Sequence, residues 1–391
     1  MRFPEFSGEW VKTKLGDIGT TLIGLTYSPK DVVSSGGTIV LRSSNIKGGL
    51  TDYNDIVRVN CKKIKESIIT RVDDLLICAR NGSARLIGKN AILKQEDCGH
   101  TFGAFMMVYR AQNNKFVHQL LNTKRYYAQV GENLGARINQ ITTSDLNSFE
   151  FYFPQTLNEQ NKIASMLSLL DDRIATQIKI IEDLKKLKSA ISKHLFARKD
   201  LLETTICFSD IATFKNGYAF QSSKYNPQGK WKILTIANVS GERYINDEDC
   251  NCIINLPSDI QTHQVLKEGD ILISLTGNVG RVSLCKAGNY LLNQRVGLLQ
   301  FTNNANREFI YQVLSSRRFE NSMIACGQGA AQMNIGKGDV EKFVLPYSTN
   351  ANNIHLVANI LRIYDEQIIN EQRRLSLLTM QKQYLLAQMF I

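Results

Sequence analysis

The sequence predicts an α+β protein in which two tandem pseudo-repeat domains, each β-rich with short helices, are separated by two long antiparallel helices packed as a coiled coil. Three observations predict it: an internal repeat at a nearly constant offset, two long amphipathic segments that obey the same offset, and strand-like runs punctuated by polar turns. The repeat comes first because it divides the chain. "GDI" at 16–18 answers "SDI" at 209–211, "VLRSSNI" at 40–46 answers "LTIANV" at 234–239 with Asn45 on Asn238, and "VDDLLICARNG" at 72–82 answers "EGDILISLTGN" at 268–278. "GARIN" at 135–139 answers "GAAQMN" at 329–334, each followed by a Phe (149 and 343) and a proline (154 and 346). The resulting division is a first domain over 1–156, a long helix over 157–200, a second domain over 201–350 and a second long helix over 351–391.

In the first long segment apolar residues fall at Ile163, Leu167, Leu170, Ile174, Ile178, Ile181, Leu184, Leu187, Ile191 and Leu195, a step of about 3.6 residues. Moving each by 194 gives Val357, Leu361, Tyr364, Ile368, Gln372, Leu375, Leu378, Gln381, Leu385 and Met389, of which eight are apolar. A helix of roughly 35 to 40 residues is about 55 Å long, more than one small domain can cover, so the two stripes are expected to cover each other. The expected core of the pair is Ile163, Leu167, Leu170, Ile174, Ile181, Leu184, Val357, Leu361, Ile368, Leu375 and Leu378. The alternative is two separate surface helices, each on its own domain. Gln372 and Gln381 either set the register or reach solvent. Within the domains, "GTIVLRS", "DLLICAR", "AFMMVYR", "WKILTIANV", "DILISL" and "RVGLLQF" read as strands, and "FVHQLLNTKRYYAQV" and "REFIYQVLSSRRFENSM" as helical stretches.

Composition narrows the function. The chain has 391 residues, 43% of them hydrophobic, and carries a formal net charge of +11. The charge is uneven: 20 basic residues face 14 acidic over 1–156 and 9 face 6 over 157–200, whereas 14 face 13 over 201–350 and 4 face 3 over 351–391. A basic chain suits a partner carrying phosphates, although many solvated surfaces are basic too. No apolar run approaches the length of a membrane span and "MRFPEFSGEW" lacks a signal-peptide layout, so a cytoplasmic location is expected, with no membrane partner. Eight scattered cysteines and five histidines show no zinc spacing and no disulfide framework.

Catalytic motifs are not found. The chain has no Pro-Pro and no Glu-x-Lys, and Gly82 to Gly88-Lys89-Asn90 lacks both the spacing and the hydroxyl of a phosphate-binding loop. No nucleophile sits in a recognisable elbow, so the chain is expected not to be an enzyme and to bind no cofactor or metal itself. What occurs twice instead is a polar loop after a buried strand, "ARNGSARLIGK" at 79–89 and "LTGNVGR" at 275–281, followed by a second polar cluster, "GARINQITTSD" at 135–145 and "GQGAAQMNIGKGD" at 327–339. Arg and Asn can make paired contacts to guanine and adenine edges, and Ser, Thr and Lys can hold phosphates. The plainer reading is tight turns with solvated side chains. The candidate DNA contacts are Arg80, Asn81, Ser83, Arg85, Lys89 and Arg137 in the first domain, and Thr276, Asn278, Arg281, Gln328 and Gln332 in the second.

With these residues in view, the chain resembles the DNA specificity subunits of type I restriction-modification systems over essentially its whole length. The likeness is carried by "FSGEWVKTKLGDIG", "DLLICARNGSARLIGK" and "GARINQITTSDLNSFEFYFPQTLNEQNKIASMLSLLDDRI" with its Glu159-Gln160 pair, then by "FSDIATFKNGYAF", "GDILISLTGNVGR" and "GQGAAQMNIGKGDVEKF". The second copy has "NANNIHLVANIL" in place of "LNEQNKIASML" and so lacks the Glu-Gln pair. The resemblance implies two target-recognition domains, each reading half of a split site in double-stranded DNA, with the two helices as spacer. It implies two partner modification subunits that bring S-adenosylmethionine and methylate adenine, restriction subunits that cleave, and a non-catalytic role for this chain. The rival expectation is a duplicated coiled-coil adaptor that binds proteins rather than DNA.

Overall fold

A computed structural model describes residues 2–61, 63–134, 139–302, 305–327 and 333–390. The chain divides into two compact units, Met1–Gln177 with Arg374–Ile391, and Ile178–Arg373. Each is a sheet-rich domain joined to parts of two long helices, α1 (Leu157–Ala197) and α2 (Ala351–Met389).

In the first unit the main antiparallel sheet has the order Gly19–Ile23, Met106–Ala111, Leu75–Cys78, Asn90–Ile92. Leu75–Cys78 is buried on both faces, and its alternating side chains explain why the run reads as continuously apolar. Leu75 and Ile77 enter the core shared with the short helices and α1, while Leu76 and Cys78 enter the core under the smaller sheet. That smaller sheet pairs Thr38–Leu41 in parallel with Thr101–Phe102 and antiparallel with Val57–Val59. A two-stranded ribbon, Val11–Lys14 with Glu150–Phe153, leads into α1.

The second unit repeats this plan: Ala212–Asn216, Val296–Phe301, Ile271–Ser274 and Val282–Leu284 form the main sheet, and Thr204–Cys207 pairs with Val344–Tyr347. Its small sheet keeps the parallel pair, Trp231–Leu234 with Tyr290–Leu292, but gains its outer strand, Val265–Leu266, beside Tyr290–Leu292, whereas the first unit adds Val32–Val33 beside Val57–Val59. The matched asparagines do the same work in both. Buried Asn45 accepts from the Arg42 N–H and donates to the carbonyls of Asp52 and Asp55, while buried Asn238 accepts from the Thr235 N–H and donates to the Asn246 carbonyl.

Each of the two helical stretches expected inside the domains is broken into a pair, Asn114–Leu120 with Lys124–Leu134 and Arg307–Leu314 with Arg317–Gly327. A hydroxyl makes the break. Thr123 Oγ1 donates to the Leu120 carbonyl at 2.7 Å and accepts from the Tyr126 N–H; Ser316 Oγ donates to the Val313 carbonyl at 2.6 Å and accepts from the Phe319 N–H.

Residues Thr156 and Asn350 start the long helices, offering side-chain oxygens to the N–H groups of Glu159 and Asn352. In the first unit Ile163, Leu167 and Leu170 of α1 share a core with Leu386 and Met389 of α2; in the second, Leu195 of α1 shares one with Ile354, Val357 and Leu361 of α2. Ile181 and Ile368 are buried as well, and Ile174, Leu184, Leu375 and Leu378 are half-buried. The stripe is not closed along its whole length: Ile178 and Leu187 are 37% and 46% exposed. At the second of these points Lys188 turns inward and its neighbour Leu187 turns out. Gln381 is exposed, and Gln372 donates to Glu242 Oε2 at 3.2 Å, so neither sets the helix register.

Polar contacts inside each unit tie the two helices together. In the first, Asp171 of α1 accepts from Lys382 of α2 at 2.5 Å and from buried Gln119 at 3.0 Å. In the second, Asp365 of α2 accepts from Lys188 of α1 at 2.5 Å, from buried Gln312 at 2.7 Å and from Arg243 at 2.9 Å. The roles of the helices are exchanged, yet the residues keep the repeat offset, since 171 and 365, like 188 and 382, differ by 194. In the second unit α1 beyond Lys188 packs with α2 ahead of Asp365, and in the first α1 ahead of Asp171 packs with α2 beyond Lys382, so both pairings are antiparallel.

Two outcomes follow from these clasps. Asp365→Ala strips the counter-charge from Lys188 and part of that from Arg243 in a buried setting, and should destabilise the protein by about 3 kcal/mol in denaturant titrations; a change below about 0.5 kcal/mol would show the clasp to be incidental. His118 lies behind the Asp171 clasp, fully buried, and burial together with the Lys382 charge lowers its pKa to about 4. The folded state therefore binds fewer protons than the unfolded one below pH 6.5, so His118 costs the fold nothing above that pH and costs progressively more as pH falls towards 4. His118→Phe should flatten this acid limb of the melting temperature against pH; identical limbs for the two proteins would refute the assignment.

Candidate nucleic-acid interface

The polar loops close in the same way in both units. The Gly88 N–H donates to the Cys78 carbonyl at 2.9 Å, and the Gly280 N–H donates to the Ser274 carbonyl at 2.9 Å. Both glycines have positive φ, +80° and +76°, and both press on the following helix: a Cβ would come within 3.0 Å of Val130 Cγ2 at the first and 2.7 Å of Met323 Cβ at the second. Side chains cannot enter there, so the loop turns where the glycine stands. Between those hydrogen-bonded ends the first loop holds nine residues, 79–87, and the second five, 275–279.

The second polar cluster, distant in sequence, pairs with the loop. In the first unit the Ile141 N–H donates to the Ala79 carbonyl at 2.9 Å, Arg80 bridges Gln140, and Asn139 Nδ2 donates to the Gly82 carbonyl at 2.9 Å. In the second the Ile335 N–H donates to the Leu275 carbonyl at 3.0 Å, Thr276 bridges Asn334, and the Gly277 N–H donates to the Met333 carbonyl at 3.1 Å. A third segment joins them at the same station of each repeat, the residue just before a main-sheet strand. The Phe105 carbonyl accepts from the N–H groups of Ala79 and Arg80, and the Arg295 carbonyl accepts from that of Leu275. Three segments thus build one polar ledge on each domain.

The candidate residues fall into three groups. Arg80, Ser83 and Arg85 are exposed on the first ledge, with the Arg80 guanidinium 5.1 Å above the ring of Phe105, itself 59% exposed; Asn278 is exposed on the second. Others are engaged within the fold. Asn81 donates to Ser43 Oγ at 2.9 Å and accepts from the Ser83 N–H at 3.0 Å, which shapes the loop. Half-buried Lys89 joins the strand pair through its main chain, its carbonyl accepting from the Cys78 N–H; its charge works against the burial that pushes the Cys78 thiol up to about 11. Arg281 reaches back to the Ser240 carbonyl at 3.4 Å and lies 3.7 Å from Glu320, so it braces the ledge from behind. Thr276 Oγ1 is buried without a hydrogen-bond partner in the described structure. Arg137, Gln328 and Gln332 lie outside the described residues.

Sequence reading passed over Phe105 and exposed Arg295, and the signal that would have found them is their shared place one residue ahead of Met106–Ala111 and Val296–Phe301. The Glu159-Gln160 pair has an internal task. Buried Glu159 receives two hydrogen bonds from the Arg2 guanidinium, each 2.7 Å, and one from Trp10 Nε1 at 3.2 Å, while Gln160 donates to the Pro154 carbonyl. It ties the start of the chain to the start of α1, whereas Asn353 at the matching place in α2 donates to Ser348 Oγ.

Chemically each ledge offers donors and cations, and no cluster of His, Cys, Asp and Glu suited to a metal occurs among the described residues. No helix among them is long and apolar enough to cross a membrane.

Known proteins carry the same plan. The chain matches the model for the type I restriction modification DNA specificity domain twice, over residues 7–186 and 203–380. It is 24% identical over 408 aligned positions to the type I restriction enzyme EcoKI specificity subunit of Escherichia coli K12, covering 95% of this chain and 86% of that one. It is 26% identical over 290 positions to the MjaVIII specificity subunit of Methanocaldococcus jannaschii, covering 66% and 64%. Among solved structures, the S subunit of a type I restriction-modification system from Mycoplasma genitalium superposes over 100% of this chain and 99% of its own with a TM-score of 0.60 at 17% identity. A chain from a structure concerned with complex assembly of the type I system covers 98% of both with a TM-score of 0.52 at 14% identity. Two copies of the domain spanning nearly the whole chain place it in the type I restriction-modification DNA specificity family.

Proposed function

We propose that this chain recognises a bipartite double-stranded DNA sequence for a type I restriction-modification complex, one half-site to each ledge. One observation carries the reading: two ledges are built by the same hydrogen bonds on the same frame, yet the loops held in them differ in length and in every exposed side chain. A frame that is kept while its contact residues change suits two readers of different base sequences. Cations on each ledge contact phosphates and fix the domain on the duplex, while Arg80, Ser83 and Arg85 in the first domain and Asn278 in the second reach base edges. Phe105 adds an apolar surface beside Arg80 that fits a thymine methyl.

Membership of a specificity family makes the chain the recognising component and not the catalytic one, and the protein-only adaptor has no support. In this reading two modification subunits carry S-adenosylmethionine and take the target adenines out of the stack, and restriction subunits join the same assembly. The long helices act as the spacer between half-sites.

Genome-wide mapping of methylated adenine in a host carrying the complex tests the division of labour. Arg80→Ala with Ser83→Ala and Arg85→Ala should relax or change one half of the methylated sequence, each lost base contact weakening discrimination by about 1–3 kcal/mol, and leave the other half and the gap intact. Changes in both halves, or in neither, would contradict it.

A further inference from the structure

The second unit holds a groove of about 1010 Å³ that the ledges do not include. It is lined by α1 from Glu182 to Ala197, by α2 from Asp365 to Gln372, by the corner where the helix Arg317–Gly327 begins, and by the turn Gly241–Arg243. Basic side chains dominate it. Lys185, Lys186 and Lys193 from α1 meet Arg317 and Arg318 from the corner, and all five are exposed. Lys185 pairs with Glu242 and Lys186 with Asp183 along the helix, but among the described residues no carboxylate pairs with Lys193, Arg317 or Arg318. Three cations without a carboxylate partner around one groove raise its local potential and favour a bound anion.

The groove is not a by-product of the repeat. At the matching positions of the first unit α2 carries Thr379, Met380 and Ala387; the corner there keeps exposed Lys124 in place of Arg317, but Arg125, in place of Arg318, donates to the Glu150 carbonyl at 3.1 Å and lies over the Tyr152 ring. The lysines of the α1 wall therefore belong to the second unit alone, while the basic pair at the corner is kept in both. The groove is also tied to the second ledge. Arg281 joins the two, donating to the Ser240 carbonyl beside the turn that closes the groove and facing Glu320 on the helix that starts with Arg317. That helix has 11 residues, so its ends are about 16 Å apart, the span of roughly five base steps along one strand.

We propose that this groove binds the sugar-phosphate backbone of the duplex flanking the half-site read by the second domain, with Lys193, Arg317 and Arg318 each facing a phosphate. The inference rests on the DNA-reading function proposed above and adds to it a sequence-independent anchor whose helix lysine, Lys193, is replaced by Ala387 in the first domain. Phosphates are favoured over an acidic protein surface because the helix that lines the groove with Arg317, Arg318 and Asn321 also packs against the loop glycine of the ledge, Gly280, through Met323.

The test uses the full chain assembled with its modification subunits and a duplex of about 40 base pairs containing the sequence mapped from host methylation, with a scrambled duplex of equal length beside it. Equilibrium affinity is measured across a salt series for the natural chain, for Lys193→Gln with Arg317→Gln and Arg318→Gln, and for the charge-keeping Lys193→Arg with Arg317→Lys and Arg318→Lys. The neutral variant should lose about tenfold to a hundredfold in affinity near physiological salt, and its log-log salt slope should fall by about two to three, while its preference for the mapped duplex over the scrambled one is kept. The charge-keeping variant should retain most of the natural slope. An unchanged slope in a complex that still assembles, or a loss of the modification subunits with DNA affinity otherwise intact, overturns the inference. A natural complex that binds the mapped and scrambled duplexes equally would instead overturn the DNA-reading function itself, before any variant is compared.

Discussion

The arrangement of the long helices depends on a polar clasp made in each unit, Asp171 with Lys382 and Asp365 with Lys188. An apolar stripe on a helix attracts any other stripe and tolerates sliding, because burying leucine against leucine is nearly the same one turn further on. A buried carboxylate has no such freedom. Asp365 accepts from Lys188, Gln312 and Arg243 at once, and displacement by one turn would leave a charge in a low-dielectric setting without partners. Because Gln119 and Gln312 come from the sheet-bearing domains, each clasp ties a domain to the helix pair as well as one helix to the other.

The exchange of roles between the clasps follows from duplication. A unit that places an aspartate at one station of its helix and a lysine 17 residues further on presents, once copied, an aspartate to meet the other copy's lysine in either pairing. The same economy shapes the ledges, where one pattern of main-chain hydrogen bonds supports loops of nine and five residues. Main-chain bonds do not depend on side-chain identity, so the frame persists while the exposed residues vary. The copies have also diverged where the fold permits: the outer strand of the small sheet sits on opposite edges, and His118 in the first unit stands where the second has Tyr311.

What could be read in the sequence was whatever repeated or was periodic. Leu167 and Leu361 declared themselves by the 3.6-residue step and the 194-residue offset, and the strand Leu75–Cys78 by its unbroken apolar run. Asp171 and Lys188 did not, because a lone charge near a helix stripe reads as solvated until the partner across the pair is known. Leu187 and Ile178 fitted the periodicity and are nevertheless exposed, since a neighbour one position away occupies the inward place. The loops 79–89 and 275–281 were legible as polar segments after buried strands, but not which of their side chains face outward: Asn81 and Arg281 have the chemistry of base readers and are occupied within the fold. Contacts with residues some 60 positions away, such as Asn139 with Gly82, decide that orientation, and spacing does not reveal them.

The measurement that tests the spacer role most directly is methylation mapping after lengthening both helices by one heptad, with the clasp residues kept in phase within each unit. Seven residues add about 10 Å, close to three base pairs. A gap widened by about that amount between two unchanged half-sites is the result expected if the helix pair is the ruler and the ledges are the readers. Altered half-sites at the original gap would contradict it.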